Sequence, residues 1–77
     1  MKLWILEPMS AGRPPFSGYD VALGFVVRAR AEDEARGIAA TGHGDEGMAW
    51  LDNELTTCRV LTATGQPCVI MRDFNAG

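Results

Sequence analysis

The stretch "YDVALGFVVRA", Tyr19 to Ala29, constrains the fold more than any other part of this 77-residue chain. Its odd positions Tyr19, Val21, Leu23, Phe25, Val27 and Ala29 form one continuous apolar face. The even positions Asp20, Ala22, Gly24, Val26 and Arg28 are smaller or charged. A period of two marks a half-buried β-strand. Such a strand needs neighbouring strands and an apolar layer over its inner face.

The rest of the chain supplies both. "KLWILE", residues 2–7, is apolar on both faces and suits a strand covered on one side and partly on the other. "PMSAGRPPFSG", Pro8 to Gly18, holds three prolines and two glycines, a density of breakers that leaves a long loop. "AEDEARGIAATG", Ala31 to Gly42, reads as a helix with a thin stripe of Ala35, Ile38, Ala39 and Gly42. Glu32, Asp33 and Glu34 stand in its first turn, where carboxylates complement the helix dipole. Ala31 takes the cap position without a capping side chain, and Gly37 weakens the interior. Small residues on the stripe imply close packing on the sheet.

After the loop "HGDEGM", Trp50, Leu51 and Leu55 bring apolar bulk back toward the core. "TTCRVLT", residues 56–62, is a β-branched strand. "ATGQ" is a turn, and "PCVIMRDF", Pro67 to Phe74, is the closing strand. The expected architecture is α+β in the order β-β-α-β-β, one helix packed on a four-stranded, mostly antiparallel sheet. The helical crossover sets the third strand parallel to the second. Residues 1–77 form one domain, small enough that its stability margin is thin.

Composition excludes several function classes. With 47% apolar and 22% charged residues the chain is an ordinary globular protein. It has no apolar run of membrane-spanning length, and "MKLWILEP" is too short for a signal-peptide core, so a cytoplasmic location is expected. The net charge of −3 and the lack of a basic run disfavour direct nucleic-acid binding. Cys58 and Cys68 are expected to be packed thiols. In a hairpin closed by "ATGQ" they point to opposite faces and cannot pair.

His43, the only histidine, sits in "HGDEG" beside Asp45 and Glu46. A catalytic histidine needs an orienting partner and a nucleophile within reach. The motif matches no hydrolase or metalloprotease pattern. A zinc site would draw His43, Asp45, Cys58 and Cys68 singly, without the paired ligands such sites use. The sequence therefore gives no catalytic, metal or cofactor residue, and "HGDEG" reads as part of an acidic contact surface.

The charge layout carries more. Residues 32–54 hold seven acids, Glu32, Asp33, Glu34, Asp45, Glu46, Asp52 and Glu54, against Arg36 alone, a net of −6; the remainder nets +3. Such a side docks on a basic surface and speeds encounter. In the long loop, Arg13, Phe16 and Tyr19 are residue types common at interface hot spots.

At "GFVVRARAEDEAR" and "VIMRDFNAG" the chain resembles small uncharacterised bacterial and prophage proteins that share the strand-helix pattern and the Arg-Asp-Phe ending. In them the position of Ala31 is more often a capping serine. The resemblance implies no catalytic motif and transfers no site residue. Size, acidity and lack of catalytic machinery are similar in type to phage-encoded inhibitors of bacterial defence, including anti-CRISPR proteins.

These observations lead to the expectation of a non-enzymatic binding module, a phage or prophage inhibitor acting as a nucleic-acid mimic. Its partner would be a larger protein or nucleoprotein complex with a basic surface, met by Glu32 to Glu54 and the Arg13–Tyr19 loop. It would act as a monomer or homodimer, without cofactor and without a membrane. The alternatives are a small metal- or thiol-dependent enzyme centred on His43 and Cys58, and a structural accessory subunit.

Overall fold

The computed structural model describes residues 1–74; the Asn75–Gly77 end of the "VIMRDFNAG" motif lies outside the described residues. Its order is β1 (Lys2–Pro8), β2 (Phe25–Ala29), α1 (Glu32–Ala40), a 3-10 helix (Gly47–Leu51) and β3 (Thr56–Leu61). The sheet order is β2-β1-β3, with both outer strands antiparallel to β1. The outer strands therefore run parallel to each other, as a helical crossover requires. Strand β1, apolar on both faces, takes the centre, where Trp4, Ile5 and Leu6 are all buried.

The expected four-stranded sheet is corrected to three strands. Residues 67–74 join no ladder. A tight hairpin would need a positive φ at its first central residue, or at both. Within 63–66 only Gly65 has a positive φ, at 143°, and the chain does not fold back beside β3. Instead the tail crosses the sheet near Gly24, where Met71 Cε lies 2.6 Å from the place a Cβ would take. Cys68 is exposed, against the expectation of a packed thiol, and Cys58 is half-buried.

The second strand is shorter than the alternation predicts. Tyr19 is exposed, and the backbone of residues 19–22 bonds to loops in place of a neighbouring strand: Asp45 N–H donates to Asp20 C=O at 2.7 Å and Ala22 N–H to Glu46 Oε1 at 3.1 Å. Val27 and Ala29 do point inward, as the period of two demands.

Helix α1 is rotated from its expected stripe. Ile38 is 46% exposed, and the buried positions are Ala35, Arg36, Ala39 and Ala40. Alanines let the helix approach Val27 and Ala29 closely. Ala31 provides no side-chain cap. Glu34 compensates by reaching back to accept the Arg30 N–H at 2.8 Å. Of the apolar residues after the helix, Ala49 and Trp50 enter the core; Leu51 and Leu55 stay exposed. Trp50 is fully buried and meets Phe16 and Phe25 edge-to-face, with centroids 5.3 and 5.0 Å apart.

Candidate binding cleft

The residue that organises this region is Arg36. It is 7% exposed, and its guanidinium spans three elements. Nε donates to Glu32 at 2.8 Å, Nη1 to Trp50 C=O at 2.9 Å and to Thr56 Oγ1 at 2.8 Å, and Nη2 to Thr56 C=O at 3.1 Å. A planar fork with five donors suits this task, because the last carbonyls of the 3-10 helix and the start of β3 converge there. Arg36 thereby fixes the distance between the start of α1 and the 3-10 helix. Between them opens a cleft of about 720 Å³.

The seven acids of residues 32–54 serve four different roles. Glu32 is held by Arg36, and Glu34 pairs with Arg30 Nη1 at 2.9 Å. Glu46 turns inward and is 5% exposed. Asp33, Asp45, Asp52 and Glu54 have no basic partner among the described residues. Asp33 and Asp52 line the cleft with Glu32, beside Met48 and Leu51, which are 56% and 54% exposed. Glu54 lies apart, with Arg13 and Phe16 around a smaller pocket of about 190 Å³. Phe16 is buried against Trp50, so its ring belongs to the core, while Tyr19 is 90% exposed on the rim of a third groove.

Glu46 is a structural latch. Oε1 accepts the N–H groups of Ala22 and Gly44, and Oε2 accepts Trp50 Nε1–H at 2.7 Å. Burial pushes its carboxyl up. The hydrogen bonds from Trp50, from its own amide and from Ala22 and Gly44 together outweigh burial and hold it below the usual glutamate value. Gly44 has to be glycine, since a Cβ there would run into the Asp20 carbonyl.

Glu46→Gln should cost about 1–3 kcal/mol, because the amide nitrogen then meets the Trp50 N–H, donor against donor. The stability that the lowered pKa confers is complete above the ordinary glutamate value and is lost as the pH falls through the folded-state value. The gap between wild type and Glu46→Gln in thermal unfolding should thus be full at neutral pH and close in acid. A gap independent of pH would contradict the latch.

His43 is exposed, with Nδ1 2.7 Å from Gly44 C=O. Among the described residues no group of three His, Cys, Asp or Glu side chains could hold a metal ion. Burial pushes the Cys58 thiol up, with smaller and opposed effects from Arg36 and Glu32, which works against a reactive thiolate. No described helix is long and apolar enough to cross a membrane.

Sequence reasoning missed Arg36 and Met48. The signal for Arg36 was present: it is the lone base among seven acids, on a helix whose apolar stripe is thin. Met48 and Leu51 carried no signal, since burial and exposure there depend on the 3-10 turn. Comparison with known proteins gives no match to a family model, a curated protein or a solved structure.

Proposed function

We propose that the chain is a non-enzymatic binding module whose cleft takes a lysine or arginine side chain from a basic partner surface. The observation that carries this reading is the pairing of unneutralised Asp33 and Asp52 with exposed Met48 and Leu51 around one opening. A long basic side chain has an apolar stem and a charged head, and the cleft offers a complement to each. Glu32, already bound by Arg36, serves as a fixed wall. Asp45 and Glu54 add long-range attraction that speeds encounter and fades with salt.

The narrower reading keeps the partner as a nucleic-acid-binding surface of a larger complex, occluded by a prophage-type inhibitor. Its support is the same charge complementarity and the similarity in type to small acidic inhibitors.

An arginine-rich peptide, followed by backbone amide shifts, is the probe. Perturbations should cluster at residues 32–36 and 48–53 and weaken with added salt. The double variant Asp33→Lys with Asp52→Lys should lose at least about tenfold in affinity, some 1.4 kcal/mol. Equal affinity in a folded double variant would remove the cleft from the proposal.

A further inference from the structure

The strand β3 lies at the sheet edge, and its backbone polarity can be read from its neighbours. Met9 N–H donates to Leu55 C=O at 2.8 Å, so Leu55 faces β1. Along a strand, successive residues direct their backbone groups to alternate sides. Thr57, Arg59 and Leu61 thus also face β1, and Thr56, Cys58 and Val60 face outward. Thr56 confirms the alternation, since its N–H goes to Asp52 C=O and its own C=O accepts from Arg36. No described residue bonds to the outward N–H and C=O of Cys58 and Val60.

We propose that this open edge pairs antiparallel with the β3 edge of a second copy of the chain, about a two-fold axis at Val60. Three observations select this occupant and register. Two nearby axes are disfavoured: one at Cys58 needs the backbone groups of Thr56, which are already used, and one at Arg59 sets that residue against itself. The Val60 axis pairs Val60 with Val60, Cys58 with Thr62, and Arg59 with Leu61, with no like charges opposed. The 3-10 helix packs at the Thr56 end, where Thr56 Oγ1 donates to Ala49 C=O, and leaves the Val60 end uncovered. The other edge is guarded: β2 carries exposed Arg28 and is followed by exposed Arg30. Strand β3 has only Arg59, tied back to Glu7 at 3.6 Å, and no proline.

A short edge buries little surface, so the dimer is weak and forms with rising concentration. Light scattering after size exclusion, run from micromolar to millimolar protein, should show a monomer becoming a dimer. Amide hydrogen exchange at Cys58 and Val60 should slow over the same range. Val60→Pro removes only an outward donor and should abolish dimerisation while circular dichroism stays native. Should that variant fail to fold, exchange in the wild type decides alone. A monomer at every concentration overturns the proposal. So does a dimer whose Cys58 and Val60 amides exchange freely, or protection at these amides that ignores concentration.

Discussion

Arg36→Ala is expected to lower unfolding free energy by about 3–5 kcal/mol, the range for removing one partner from a buried charged network. Trp50 C=O, Thr56 C=O and Thr56 Oγ1 all lose a charged donor at 2.8–3.1 Å inside the fold. Glu32 is half exposed, so its own loss adds little beyond screening by water. A domain of this size holds about 4–12 kcal/mol in total, at roughly 0.05–0.15 kcal/mol per residue. At the low end of that range the loss removes nearly the whole margin. Arg36→Lys keeps the charge but has no fork, and one ammonium cannot serve Glu32 and Thr56 together. It should recover less than half of the loss. Urea unfolding, with midpoints compared at unchanged slope, measures both. A loss below about 1 kcal/mol for Arg36→Ala would mean that the guanidinium is not what joins the helix to β3.

That network shows where the sequence was legible and where it was not. Strand β1 was readable as a strand from a run apolar on both faces, but its central place between β2 and β3 was not. The inward set Val27 and Ala29 followed from the period of two. The same pattern overreached at Tyr19 to Gly24, because Asp20 and Ala22 give their backbone groups to the Glu46 loop. Those bonds join residues 24 or 25 apart and leave no local trace. The closing strand was misread for a related reason. β-Branched residues in Val69 and Ile70 mark a segment able to form a strand, but pairing also needs a turn of the right hand, and Gly65 does not provide it. At the cleft, the first-turn acids were legible from spacing. Their division into paired and unpaired carboxylates was not, since it depends on which arginines arrive from Arg30 and from the buried face of α1.

Trp50→Ala should remove about 3–5 kcal/mol, as large aromatic truncations in cores do. The ring is fully buried, holds Phe16 and Phe25 edge-to-face, and gives Oε2 of Glu46 its only hydrogen bond among the described residues. Packing and hydrogen bonding can be separated with Trp50→Phe. That change keeps most ring contacts and removes the donor, for an expected cost of about 1–3 kcal/mol. Trp50→Phe should also differ from the wild type in acid. Trp50 makes the strongest of the contacts that lower the Glu46 carboxyl. Without it, burial regains weight and the folded-state value rises toward the ordinary one. The stability that depends on ionised Glu46 scales with the gap between the unfolded and folded values, so it should shrink. Urea midpoints followed from neutral pH downward should show a shallower acid decline for Trp50→Phe, starting at the same pH as in the wild type. Coincident pH profiles, offset by a constant, would show that Glu46 is held by the amides of Ala22 and Gly44 alone.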